Sequence, residues 1–155
     1  MFSFEKMEPN ETLMDYFLTM GQHEKKAIRQ VDNETAFHCA FNFPAVLKTL
    51  GVKYWDLKLK PMYDIMASDD RWKIRRSLAF SIHEIAKILG PELTERDLLP
   101  VLDHFLLDIP DVAGGALQNL PMICRVLKTE QRDQYISLFV DAQNKVEKQN
   151  IANWR

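Results

Sequence analysis

The stretch Ile74-Arg75-Arg76-Ser77-Leu78-Ala79-Phe80-Ser81-Ile82-His83-Glu84-Ile85-Ala86-Lys87-Ile88-Leu89 decides the fold. Its apolar residues Ile74, Leu78, Ile82, Ile85, Ala86 and Leu89 have the three-and-four spacing that lays one stripe along an α-helix. The same stripe recurs 38 residues further on as Val112, Ala116, Leu120, Ile123, Cys124 and Leu127. It also occurs 39 residues earlier as Cys39, Phe43, Val46, Leu47 and Leu50, with Thr35 in the first place. A helix repeated at just under forty residues buries its face by stacking on its neighbours, the mark of a helical solenoid. Such arrays present long surfaces to other proteins, so the period tilts the reading toward binding rather than chemistry.

Working outward, each copy has a preceding partner with its own stripe: Leu13, Tyr16, Phe17 and Met20; Leu59, Met62, Tyr63 and Met66; Leu98, Val101, Leu102 and Phe105. A fourth such helix carries Tyr135, Leu138, Phe139 and Ala142. Each set is spaced i, i+3, i+4, i+7, and no sustained alternation of period two occurs anywhere. The chain therefore reads as all-α, an α-α superhelix of about three and a half antiparallel helix pairs in a single domain, residues 1–155. The pairs fall at about 11–51, 55–90 and 94–128, with an incomplete fourth from 129.

The punctuation repeats as well. Pro61 and Pro100 share one place in the outer helices, and Pro44 and Pro121 share one in the inner helices. A proline inside a helix removes a hydrogen bond and crowds the preceding turn, so each is expected to bend its helix and let the array curve. Gly51 and Gly90 follow inner helices where a left-handed cap is expected, and Thr94 to Asp97 can cap the next helix start. The polar stretches Gly21 to Asp32 and Lys145 to Asn153 read as loops.

Composition narrows the function classes. A chain of 155 residues buries enough surface for one core without staples. Its two cysteines, Cys39 and Cys124, lie on helix stripes outside any CxxC pair and read as small core residues of a reducing compartment. The N-terminal run Met1 to Pro9 has no unbroken apolar segment, so neither a secretory signal nor a membrane span is expected, and the location expected is cytoplasmic, nuclear or both. Asn10-Glu11-Thr12 and Asn33-Glu34-Thr35 match a glycosylation pattern but read as helix starts. A net charge of −2 gives no global attraction for nucleic acid or anionic membrane.

Catalytic readings fail on their own requirements. His83-Glu84-Ile85-Ala86-Lys87 begins like a zinc-protease HExxH, yet Lys87 stands where the second histidine must be. His23, His38 and His104 have no partners at ligand spacing apart from the adjacent His38-Cys39, whose side chains diverge on a helix. Gly114-Gly115 lacks the glycine and lysine flanks of a phosphate loop. No catalytic residue, metal site or cofactor is expected, and the chain does not read as an enzyme. Basic residues around Trp72 could stack on bases, but Asp69, Asp70 and the acidic balance disfavour nucleic acid.

Short turns join the outer and inner helices: Ser68-Asp69-Asp70-Arg71-Trp72-Lys73, then Asp108-Ile109-Pro110-Asp111. An aspartate here can accept hydrogen bonds from the free amides of the helix that follows. Asp, then Val or Ile, then Arg is the signature of HEAT repeats, in which the Arg of one repeat pairs with the Asp of the next. Arg75 fits this role and Ala113 does not. The third inner helix, with Gly114 and Gly115, is expected to start late or fray, since an interior glycine costs up to about 1 kcal/mol relative to alanine.

The run Trp72 to Ala86 with Ile88-Leu89-Gly90 resembles the central repeats of the protein phosphatase 4 regulatory subunit 1 family. His38-Cys39-Ala40, Pro44, Thr49-Leu50-Gly51, Asp97-Leu98 and Asn153-Trp154-Arg155 fit the same family in the same order. The resemblance covers Leu13 to Arg155 and implies a noncatalytic regulatory scaffold that holds a serine/threonine phosphatase catalytic subunit or its targets. An adaptor for another protein or nucleic-acid partner is the alternative. The contact ridge expected from the turns is Asp70, Arg71, Trp72, Lys73, Arg75 and Arg76, together with Asp108, Pro110 and Asp111. Trp154 and Arg155 match Trp72 and Lys73, so the chain reads as a piece of a longer array, its last outer helix uncovered and open to self-association.

Overall fold

The structure, a computed structural model, describes residues 31–138 and 140. The first outer helix with Leu13, Tyr16, Phe17 and Met20, most of the loop that follows it, Phe139, Ala142, the Lys145–Asn153 stretch and Trp154-Arg155 lie outside these residues. Among the described residues every regular element is helical. In order they are α1 (Val31–Leu50), a 3-10 turn (Val52–Tyr54), a π turn (Trp55–Leu59), α2 (Lys60–Ala67), α3 (Trp72–Leu93), a second π turn (Thr94–Leu98), α4 (Leu99–Leu106) and α5 (Pro110–Cys124). A further helical run occupies residues 129–138. Val31 and Asp32, expected in a loop, belong to α1.

The chain divides into two compact units, Met1–Ser81 and Ile82–Arg155. In the first unit α1 packs on α2 and buries Cys39, Phe43, Leu47 and Leu50 of the stripe read from the sequence, while Val46 is half-buried. Phe43, Trp55 and Tyr63 form an aromatic centre with ring centroids 5.3 to 6.4 Å apart, inside the range where tilted rings attract. Ile74, Leu78 and Ala79 complete this core. In the second unit α4 packs on α5, and Ile82, Ile85, Ala86 and Leu89 are buried with Leu102, Phe105, Val112, Ala116, Leu120 and Ile123. Both cysteines are buried, and burial pushes both thiols up from their ordinary range, as suits small core residues.

The fold class is all-α and built of helical repeats. The repetition extends to backbone detail, since the π turns Trp55–Leu59 and Thr94–Leu98 and the helices Lys60–Ala67 and Leu99–Leu106 match at 39 residues. Here the proline expectation needs correction. Pro61 and Pro100 do not bend the interior of a helix; each is the second residue of an α-helix that follows a widened turn. The amides of Lys60 and Leu99 reach five residues back, to the carbonyls of Trp55 and Thr94. A wider turn makes room for a ring that would otherwise press on the carbonyl four residues earlier.

Gly51 and Gly90 have positive φ, 90° and 79°, as expected of residues after an inner helix. Their ψ values, 161° and 177°, are extended rather than left-handed helical, a region open essentially to glycine alone. For Gly90 the cause is Pro91, which pushes the residue before it into extended ψ. Gly90 thus interrupts α3, and the next helix starts at once with Pro91. Thr94 to Asp97 consequently cap no helix start: Thr94 is buried, and its hydroxyl donates back to the Ala86 carbonyl at 3.2 Å.

The third inner helix also departs from expectation. It neither starts late nor frays, because α5 begins at Pro110 and passes unbroken through Gly114 and Gly115. Proline is preset for the first helical turn, and the amides of Val112 and Ala113 both reach the Ile109 carbonyl at 3.0 Å. At its other end no glycine follows, and α5 stops at Cys124. The chain then turns, keeping Leu127 buried, and the Lys128 amide donates to Glu95 Oε1 at 3.0 Å.

Candidate functional site

The turn before α3 is organised by Asp69. Its Oδ1 accepts the Arg71 amide at 2.9 Å and Arg71 Nε at 2.8 Å, while Oδ2 accepts the second guanidinium nitrogen at 2.7 Å. Arg75, one helical turn later, donates to the Asp69 carbonyl at 2.6 Å. A forked guanidinium on a carboxylate is a strong, oriented pair, so the loop is held rigid. Burial alone would push the Asp69 carboxyl up, but the Arg71 hydrogen bonds and the charges of Arg71 and Arg75 outweigh it and hold the group below its usual range.

Rigidity fixes what the turn displays. Trp72, the first residue of α3, is 39% exposed, and Lys73 Nζ lies 5.9 Å from the centre of its ring. Arg76 faces the Phe80 ring at 4.6 Å. Arg71, Trp72, Lys73 and Ile74 line a half-open cavity of about 480 Å³ with Glu34 and Phe37 of α1. Phe37 and Phe41 stack one turn apart, with centroids at 6.4 Å, on the side of α1 away from its buried stripe. Phe41 is 64% exposed.

Of the residues the sequence nominated, Arg71, Trp72 and Lys73 therefore share one cavity, and Arg75 and Arg76 lie on the following turn of α3. Asp70 is exposed and is not among the lining residues; its neighbour Asp69 takes the structural role. Asp108, Pro110 and Asp111 belong to the second unit. There Asp108 Oδ1 accepts the Ile109 amide at 2.7 Å and Pro110 opens α5. The sequence reading missed Glu34, Phe37 and Phe41. A signal existed: Glu34 stands 39 residues before Lys73, and two phenylalanines lie off the buried stripe.

The HExxH-like run is a polar helix edge. Glu84 Oε1 accepts Lys87 Nζ at 2.9 Å and stands 3.0 Å from His83 Nε2, and the Lys87 bond leads the effects that lower its carboxyl. Among the described residues no group of three His, Cys, Asp or Glu side chains could hold a metal ion. None of the described helices is long and apolar enough to cross a membrane.

Tandem helix pairs at a 39-residue period, with an aromatic and basic turn on display, define a helical-repeat protein. A sequence profile of the protein phosphatase 4 regulatory subunit 1 middle domain matches residues 39–141. The chain belongs to that family. It is 39% identical over 145 residues to serine/threonine-protein phosphatase 4 regulatory subunit 1 of Homo sapiens and of Mus musculus, an alignment covering 94% of this chain. Serine/threonine-protein phosphatase 4 regulatory subunit 4 of Mus musculus is 26% identical over 94 residues, 59% of this chain and 10% of that protein. The chain spans about 15% of the length of the subunit 1 relatives.

Proposed function

We propose that this chain is part of a noncatalytic regulatory scaffold of a serine/threonine phosphatase of the phosphatase 4 type, its repeats contacting the catalytic subunit or a target. The observation that carries the reading is the family membership over residues 39–141, reinforced by 39% identity to a protein named as a phosphatase 4 regulatory subunit. The contact ridge is the turn display of Asp70, Arg71, Trp72, Lys73, Arg75 and Arg76, with Asp108, Pro110 and Asp111 as its counterpart in the second unit. Its physical support is the rigid, exposed Trp72 beside basic side chains, the residue types that most often anchor interfaces. The site of action is cytoplasmic, nuclear or both.

The test is capture of phosphatase 4 catalytic subunit from cell extract on the immobilised chain, read by immunoblot and by recovered serine/threonine phosphatase activity. Trp72→Ala is expected to weaken capture with an unchanged melting curve. Arg71→Glu is a poor probe, since it breaks the Asp69 pair that shapes the turn. No enrichment by the wild-type chain over resin, in extract where full-length subunit 1 does enrich it, defeats the reading of these repeats as the contact.

Of the stripe expected to lie uncovered on the last outer helix, Leu138 is exposed and supports self-association, whereas Tyr135 is buried and bonded to Asp103; Phe139 and Ala142 lie outside the described residues. A monomeric mass in light scattering at high concentration argues against a dimer.

A further inference from the structure

We infer that the cavity between α1 and the start of α3 is a docking groove for an acidic peptide segment that carries one bulky apolar side chain. This rests on the reading of the Trp72 turn as a contact face and goes beyond it by naming the chemistry of the occupant. The groove, about 480 Å³, is large enough for one such side chain and its flanking backbone. Its apolar surfaces are Phe37, Trp72 and the buried floor residue Ile74, with the Phe37–Phe41 stack extending one wall. Aromatic rings exposed as a cluster, unlike apolar residues exposed singly, mark an interaction surface.

The polar groups of the groove set the charge of the occupant. Among the described residues Lys73 has no carboxylate partner and the Trp72 indole N–H no acceptor; Lys73 rests over the Trp72 ring at 5.9 Å. Of the two acids on the turn, Asp69 is engaged by Arg71, and Asp70 is exposed and is not among the residues that line the cavity. Two donors on residues that line an apolar groove call for acceptors, and a carboxylate satisfies an ammonium best. Glu34, also without an ion pair among the described residues, lines the same cavity and repels a second acid there. The occupant is thus an apolar anchor over Ile74 with its acidic flank toward Lys73, lying across the groove in a chain whose overall charge is itself −2. The attraction is local and close-range, so it confers orientation as well as affinity.

The test uses the full chain and three fluorescein-labelled, tryptophan-free decapeptides read by anisotropy. One has a central Phe flanked by Asp and Glu, one the same Phe flanked by Lys, and one the acidic flanks with Ala in place of Phe. Saturable binding is expected for the first, at least tenfold weaker binding for the other two, and loss of affinity as salt rises from about 50 to about 300 mM. Trp72→Ala and Lys73→Glu should each weaken the first peptide at least tenfold with unchanged circular dichroism, and Glu34→Gln should tighten it severalfold. Equal binding of the three peptides, or full affinity in folded Trp72→Ala and Lys73→Glu variants, overturns the inference. Phosphatase capture, measured on the same preparations, separates the two readings: capture by a wild-type chain that binds no acidic peptide sinks the groove and leaves the scaffold reading standing. Competition between the acidic peptide and the catalytic subunit supports both.

Discussion

Tyr63 has no exposed surface, and its hydroxyl has no hydrogen-bond partner. The ring packs at 5.3 Å from Phe43 and 5.8 Å from Trp55, so the aromatic body is in place and only the oxygen is a burden. A buried hydroxyl without a partner costs about 1–3 kcal/mol, and removing it while keeping the ring recovers that cost. Tyr63→Phe should therefore stabilise the chain by about 1 kcal/mol, a rise of about 2–4 °C in melting temperature for a chain of this size. Urea unfolding followed by tryptophan fluorescence reads it, since Trp55 touches the substituted ring. A second readout is alkaline pH. Burial first, then the Asp64 charge, holds the phenol far above its ordinary range. The unfolded phenol ionises near about pH 10, so the folded state keeps its advantage below that pH and loses it above. The variant should lose less stability than wild type on going to about pH 11. Destabilisation of about 1 kcal/mol or more by Tyr63→Phe would refute the argument, because it would mean the hydroxyl is bonded after all.

Asp69→Asn removes the charged partner of Arg71 and should cost about 1 kcal/mol at neutral pH. Because the native carboxyl titrates below the unfolded one, its stabilisation is present above about pH 4 and fades as pH falls through the folded value; the asparagine variant should lack that acid dependence in urea titrations. Gly90→Ala places a side chain at φ 79°, ψ 177° with no atom within 4 Å of the added carbon, so its cost of about 1–3 kcal/mol is entirely backbone strain, measurable by thermal unfolding. Tyr135→Phe breaks the 2.7 Å bond to Asp103 that ties the 129–138 helix to α4 and should raise amide exchange in that helix at a cost of about 1–2 kcal/mol.

The stripes were legible because burial of a helix face leaves a period that survives substitution: every position read from Ile74 to Leu89, and its copy from Val112 to Leu127, is buried. The prolines were legible as repeats but not as geometry, since a residue that breaks an α ladder can be met by a bend or by a widened turn, and both start from the same letters. At Gly90 the sequence held the answer in Pro91, whose restriction on ψ decides between two glycine conformations. Asp69 and Asp70 could not be ranked, because either can reach a free amide and only the path of the turn turns one inward. Half of the groove was hidden because Glu34 and Phe37 belong to the preceding copy, and polar surface positions carry no period to align.

The single-residue corner at Gly90 changes where this chain would come apart. The passage from α3 to the next helix leaves almost no loop, whereas Ser68–Arg71 and Leu107–Ile109 are open turns within the pairs themselves. A protease needs several residues of yielding backbone, so a protease of broad specificity would find Leu107–Ile109 well before anything near Gly90. The chain divides at Ser81, inside α3 rather than at the glycine, so the repeat written in the letters and the compact units do not share a boundary.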